Sequence, residues 1–369
     1  MTRAADLLAE LVAMPTQQAG ADAGPGDERA ICDHLAPLLA ARGADEVIVA
    51  DAPRTDGSPG AYVFARWGSP RRLINAHVDT VPANLGWSRS PWQPHIENGR
   101  LYGLGACDTK SAIAATLVAL DSERPRELGV LFSGDEEAGS GVMTAFLASP
   151  HARGIRDAIV CEPSARRAGI AHRGVLAQAA SYEGAGGHSS MADHMLRPIG
   201  ELARLAVGLD ELGRARLGDG PPGMQGLCLN LASFHGGVAF NVVPQRARLE
   251  WSLRPYPGFD RAAWDRDVAA IAGGITVMAS GAGPVTIEVT IDHPPFRCEH
   301  PDALVALVSP FTRSIGTLDY WTEAALLAAH GIDAIVVGPG DIARAHAPDE
   351  YVELDDLEWA IELLRAAMR

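Results

Sequence analysis

The chain has 369 residues, 47% of them hydrophobic and 21% charged, which suits a soluble globular protein with room for two domains. Lys and Arg number 31 against 46 Asp and Glu, and the net charge of −15 disfavours nucleic acid and anionic membranes as partners. The five cysteines (Cys32, Cys107, Cys161, Cys228, Cys298) are scattered and lack C-x-x-C spacing, so buried free thiols are expected rather than disulfides or a thiolate zinc site.

The opening "MTRAADLLAELVAM" places Asp6 and Glu10 within its apolar pattern, so it reads as an amphipathic helix rather than a secretory signal. No apolar run approaches the roughly 20 residues needed to cross a bilayer. A cytoplasmic location is expected. Residues 2–14 and 27–42 read as helices, the second closed by Gly43. Strands follow at 46–50, 61–67 and 71–76, then a helix from Lys110, a strand at 128–133, a helix at 140–149 and a strand at 157–162. This alternation indicates an α/β fold with a mostly parallel sheet flanked by helices.

The pattern changes near residue 174. A half-exposed strand (174–184), a helix (196–213), strands at 226–237 and 245–255, a helix (260–273) and a strand (285–292) give the order β-α-β-β-α-β. That is the order of a ferredoxin-like α+β unit. The α/β pattern then resumes with helices at 302–314 and 322–331, a strand at 333–338 and a final helix from Asp355. The expected organisation is an α/β domain of residues 1–173 and 293–369, with residues 174–292 inserted as a small α+β domain.

In an open parallel sheet, ligands gather at the carboxyl ends of the strands. "LINAHVDTVP" ends its strand in His77 and Asp79, "GVLFSGDEE" in Asp135, Glu136 and Glu137, and "DAIVCE" in Glu162. "GLGACDTK" sets Asp108 at the start of a helix, and "GPGDIARAHAP" sets His346 in the loop after a late strand. Taken singly, these residues have ordinary readings: a strand-end hydrogen bonder, a solvated turn, a helix cap. Taken together, so many carboxylates on one rim require a compensating cation. A nitrogen and oxygen donor set without thiolate suits zinc, cobalt or manganese, and there are donors enough for two ions.

The segments "HVDTVP", "GLGACDTK", "SGDEEAGS", "CEPS", "GHSS", "NVVP" and "GPGDIARAHAPDEYV" stand in an order that resembles the acetylornithine deacetylase / succinyl-diaminopimelate desuccinylase / aminoacylase superfamily of di-zinc amidohydrolases and exopeptidases. The resemblance spans essentially the whole chain. It implies that His77, Asp108 and Glu162 hold one zinc ion and Asp108, Glu137 and His346 a second, with Asp108 bridging and cobalt able to substitute. Asp79 would orient His77, a role that sets ring tautomer and basicity. Glu136 would be the general base, and His188 of "GAGGHSS" would stabilise the oxyanion. Arg254 would clamp the substrate carboxylate through its bidentate guanidinium, assisted by Asn241. Since His188 belongs to the inserted domain, closure or a homodimer through that domain would bring it in.

"LDYWTEAALL" and the His346 segment are most similar to the acetylornithine and acetylcitrulline deacetylase branch. The expected substrate is a small N-acyl amino acid, N-acetyl-L-ornithine first and N-acetyl-L-citrulline next, with Glu323 recognising a polar side chain. A helix-start glutamate favoured by the dipole is the alternative for Glu323. Succinyl-diaminopimelate desuccinylase, a dipeptidase or carboxypeptidase, and a metal-binding homologue without catalysis are the other readings.

Overall fold

In the computed structural model, which describes residues 2–19, 26–278 and 285–369, four apolar runs form the centre of the larger sheet. They are Glu127–Ser133, Arg72–His77, Asp157–Pro163 and Asp333–Gly338, adjacent in that order and mutually parallel. Almost every residue in them is buried, as strands covered by helices on both faces must be. Outside Glu127–Ser133 lie Pro59–Gly68 and then Glu46–Pro53, both antiparallel to their neighbours. On the other side Arg167–His172 runs antiparallel to Asp333–Gly338, followed by Phe296–Arg297, and Ser314–Leu318 pairs with Arg167–His172 to complete nine strands. The fold is the expected large α/β sheet, parallel at its centre and antiparallel at its flanks.

The helix Lys110–Ser122 is Ala-rich and buried on nearly all sides between Arg3–Val12 and Leu354–Met368, which accounts for its lack of a polar face. Glu28–Ala40 is capped by Asp27, whose carboxylate accepts from the Ala30 N–H at 2.8 Å. One expected helix is shorter than its pattern suggested. Instead of spanning 302–314 it stops at Val308, and Ser314–Leu318 is a strand. Ser309 keeps helical dihedrals as the C-cap, but Pro310 has no N–H to carry the ladder on, and the β-branched Ile315 and Thr317 suit an extended run. A small sheet of Tyr351–Glu353, Arg100–Tyr102 and His95–Glu97 was not anticipated, since three-residue strands are too short to show a period.

The chain divides into a unit of Met1–Ala171, Arg297–Leu318 and Thr322–Arg369, and a second of His172–Phe296 with Asp319–Trp321. Within the second unit, strands Asn230–Gly236, Arg246–Leu253, Val175–Glu183 and Thr286–His293 lie side by side in that order, each antiparallel to the next. Ala247, Leu249, Trp251 and Leu253 alternate inward, as the period of two requires. They pack with Leu202, Leu205 and Leu209 of helix Pro198–Ala215 and Trp264 of helix Arg261–Met278. Buried Gln178 accepts from both indole N–H groups, Trp251 at 3.2 Å and Trp264 at 2.8 Å. Each buried donor is thereby satisfied.

Candidate metal centre

The Arg72–His77 strand delivers His77 to its carboxyl end, and the segment before helix Lys110–Ser122 brings Asp108 against it. His77 Nε2 lies 3.0 Å from Asp108 Oδ1 and 4.0 Å from Glu162 Oε2 at the end of Asp157–Pro163. The loop after Asp333–Gly338 returns His346, whose Nε2 is 3.5 Å from Asp108 Oδ2 and 3.0 Å from Glu137 Oε1. The two oxygens of Asp108 therefore face two different histidines. Donor atoms of His77, Asp108 and Glu137 all lie within 4.8 Å of one another. His346 takes a left-handed φ of 58° to reach this position, a conformation that costs a non-glycine residue roughly 1–2 kcal/mol.

Asp79 is fully buried behind His77. Its main-chain carbonyl accepts from His77 Nδ1 at 2.9 Å, and its carboxylate stands 3.5 Å from the same nitrogen. The carboxylate also accepts from the Glu136 and Glu137 N–H groups, both at 3.1 Å. Asp135, at φ 65°, turns the chain to aim those amides. Its own carboxylate accepts from Thr55 N–H and Gly141 N–H at 2.8 and 2.7 Å.

Sequence reading missed the next layer. Gln18 donates to Asp79 at 2.6 Å and to Glu28 at 3.4 Å, while Glu28 pairs with buried Arg54 at 2.8 Å and accepts from the Asp135 N–H. Glu350 accepts from the Cys107 and Asp108 N–H groups at 2.8 and 3.1 Å. Glu28 alone had a legible signal, a charged residue on the apolar face of an amphipathic helix.

The electrostatics test whether a cation fits. With Nδ1–H committed to a carbonyl, a neutral His77 would aim its Nε2 lone pair at carboxylate oxygens. That arrangement needs a proton or a metal ion between the partners. Burial pushes Glu136 and Glu162 well above the ordinary carboxylate range, reinforced by neighbouring acids, and raises Glu137 as well. Hydrogen bonds to Asp108 and Glu137 lift His346 to about 11. Burial opposes charge on His77, yet its bonds to Asp108 and Asp79 raise it well above the usual value. Asp108 is held low, its burial outweighed by bonds from His346 and His77. The cluster is short of positive charge at each of these groups, and its oxygen and imidazole donors match divalent metal.

Glu323 is buried close enough to Glu136 for the two carboxylates to act on each other, and its Oε1 has no hydrogen-bond partner. It is 1% exposed, and its Oε2 accepts from Ser133 Oγ at 2.7 Å and Asn75 Nδ2 at 3.0 Å. Burial raises it to about 7. The remaining candidates belong to the second unit. His188 is exposed and contacts Ser190 Oγ at 2.8 Å, and its strand pairs with Val242, next to Asn241. The Asn241 carbonyl accepts from the Ser189 N–H at 3.1 Å. Arg254 follows strand Arg246–Leu253, its N–H bonded to the Leu227 carbonyl at 2.7 Å.

Comparison with known proteins places this geometry in context. The profile of peptidase family M20/M25/M40 matches residues 73–369. An N-acetyl-L-citrulline deacetylase of Xanthomonas campestris pv. campestris is 34% identical over 329 residues, covering 83% of each chain. An acetylornithine deacetylase of Klebsiella pneumoniae is 30% identical over 80% of this chain and 79% of its own. An M20 family metallo-carboxypeptidase from Sulfolobus solfataricus superposes with a TM-score of 0.78 at 19% identity, covering 100% of this chain and 99% of that one.

Proposed function

The chain belongs to peptidase family M20/M25/M40, and from that premise we propose that it hydrolyses the acetyl amide of an N-acetyl amino acid with an ornithine-type side chain, N-acetyl-L-citrulline before N-acetyl-L-ornithine. Metal-dependent amide hydrolysis of N-acyl amino acids is the activity its relatives and its donor cluster share. The observation that carries the reading is Asp108, whose two oxygens address His77 and His346 separately.

His77, Asp108 and Glu162 would hold one divalent ion and Asp108, Glu137 and His346 a second, zinc or cobalt by donor type. Bound there, such ions supply Lewis acidity and lower the pKa of water toward neutrality. Asp79 holds the His77 ring through its carbonyl and fixes the Glu136–Glu137 turn through its carboxylate. Glu136 takes a proton from the attacking water as the oxygen adds to the acyl carbon. It returns that proton to the nitrogen as the C–N bond breaks, freeing acetate and the amino acid. On the second unit, read as a ferredoxin-like lid from its antiparallel order, His188 would donate to the oxyanion. Arg254 would bind the α-carboxylate, with Asn241 beside it. Residues 174–292 would form that lid and a homodimer contact, and residues 1–173 and 293–369 the catalytic domain of a cytoplasmic enzyme. No helix among the described residues is long and apolar enough to cross a membrane.

The relatives support the order of substrates, the N-acetyl-L-citrulline deacetylase being 34% identical to this chain and the acetylornithine deacetylase 30%. Glu323, whose Oε1 is buried without a hydrogen-bond partner, would meet the polar end of the substrate side chain. The test is a comparison of kcat/KM for N-acetyl-L-citrulline, N-acetyl-L-ornithine, N-succinyl-diaminopimelate and a dipeptide panel, with zinc and cobalt. N-acetyl-L-citrulline is expected to lead. A dipeptide in first place would overturn the deacetylase reading, and N-acetyl-L-ornithine in first place the order within it.

A further inference from the structure

All but one of the chain's 31 basic side chains are arginine, and they are outnumbered by 46 acids. Against that background a cavity of about 820 Å³ in the first unit is lined by Arg71, Arg72, Arg124, Arg126 and Arg369. Its carboxylates are Glu123, Glu127 and Asp157. Arg72, Glu127 and Asp157 are the first residues of three adjacent strands of the parallel centre. The cavity therefore sits at the amino ends of the strands whose carboxyl ends carry His77 and Glu162. Five residue steps at about 3.3 Å separate the two ends by roughly 17 Å.

Part of this arginine content has a structural role. Two helices end here, Lys110–Ser122 and Leu354–Met368, and cations favour helix carboxyl ends. Arg72 pairs with Asp157 at 2.5 Å and donates to the Ala367 carbonyl at 3.2 Å. Arg369 pairs with Glu123 at 2.9 Å, and Arg124 donates to the Glu123 carbonyl at 2.7 Å. After these contacts, Arg71 and Arg126 remain without a side-chain hydrogen bond or ion pair among the described residues, though both line the cavity.

Their backbones are held firmly. The Arg71 N–H donates to the Glu127 carbonyl at 2.8 Å, and its carbonyl accepts from the Arg156 and Asp157 N–H groups at 2.7 and 3.2 Å. The Arg126 carbonyl is pressed against Gly68, at φ +67°, where a Cβ would lie 1.9 Å from the oxygen. Only glycine permits that approach.

We propose that this cavity binds a small multivalent anion, a phosphate-bearing or polycarboxylate metabolite, with the Arg71 and Arg126 guanidinium groups as its primary contacts. Two cations without partners, on fixed backbone, can each offer paired N–H donors to phosphate or carboxylate oxygens. Arg71 and Arg126 are both exposed, so an anion would reach them directly from solvent. Two of the three competing carboxylates are already engaged, by Arg72 and Arg369.

The experiment is calorimetric titration of the metal-loaded enzyme at low ionic strength with inorganic phosphate and with tricarballylate. It is repeated on R71A/R126A and on R89A/R297A, which removes two exposed arginines elsewhere in the same unit. Expected is saturable one-to-one binding of at least one probe, weakened tenfold or more in R71A/R126A and unchanged in R89A/R297A. The tighter probe names the anion class. Binding that survives R71A/R126A and inhibits turnover would assign the anion to the metal cluster and overturn the proposal. Equal loss in both double variants, or no binding of either probe at 10 mM (about the limit of a weak metabolite site), would overturn it too. Unchanged thermal midpoints in both variants show that the fold is intact.

Discussion

In the proposed mechanism the chemistry turns on Glu136, and its surroundings suit a base. Burial raises its carboxyl well above the ordinary range, and its N–H is tied to Asp79. Replacing it with Gln keeps the shape and the amide bond but removes proton transfer. E136Q is expected to lower kcat by about 10²–10⁴-fold while metal content per chain stays unchanged by elemental analysis. Near-normal turnover would take Glu136 out of the mechanism. One layer out, Glu28 is buried between Arg54 and Gln18. Removing one partner of a buried pair leaves the other charge without compensation. E28A should therefore cost about 3–5 kcal/mol in urea unfolding, and E28Q, whose amide oxygen can still accept from the Asp135 or Ala61 N–H, should cost less. An E28Q as unstable as E28A would show that charge, not hydrogen bonding, dominates the position.

Among the elements, the strands of the larger sheet act as delivery lines whose carboxyl ends present His77 and Glu162 at a common rim. The Asp135 turn shows how little chain this takes, since one left-handed residue directs the Glu136 and Glu137 amides at one carboxylate. In the second unit the element that matters is Val175–Glu183, because Gln178 joins the sheet to helix Arg261–Met278 through two indoles. Q178A leaves two buried N–H donors unpaired, each costing about 1–3 kcal/mol. The expected result is a loss of about 2–5 kcal/mol, read by denaturant unfolding with tryptophan fluorescence. Q178E keeps an acceptor for the indoles but sets a buried carboxylate beside Asp265, to which the Gln178 amide donates at 3.4 Å, so it should be no milder than Q178A. An undisturbed midpoint in Q178A would mean that water replaces the amide.

At the scale of the molecule, metal held as proposed would also be a stability element, because Asp108, Glu137 and Glu162 are gathered with two imidazoles in one place. A ligand that binds only the folded state stabilises it by mass action. Chelation should lower the thermal midpoint by several degrees and abolish turnover, with zinc or cobalt restoring both. A chelated protein with an unchanged midpoint and full activity would remove metal from the account. Much of this was legible beforehand. Residue period along the chain encodes strands and helices locally, so the alternation of the first half and the polar residues ending its strands could be read in order. Short strands such as Arg100–Tyr102 and the early stop at Val308 could not, since neither extends over enough residues to show a period. Sequence alone determined which side chains were available and which strand end each would occupy, because those depend on neighbours a few positions away. Only the tertiary structure decided that Asp108 would divide its oxygens between His77 and His346, that Gln18 and Glu28 would support Asp79, and that Glu323 would be bonded to Asn75 and Ser133. Each of those contacts joins residues far apart along the chain, at distances set by the packing of strands and helices that no local pattern contains.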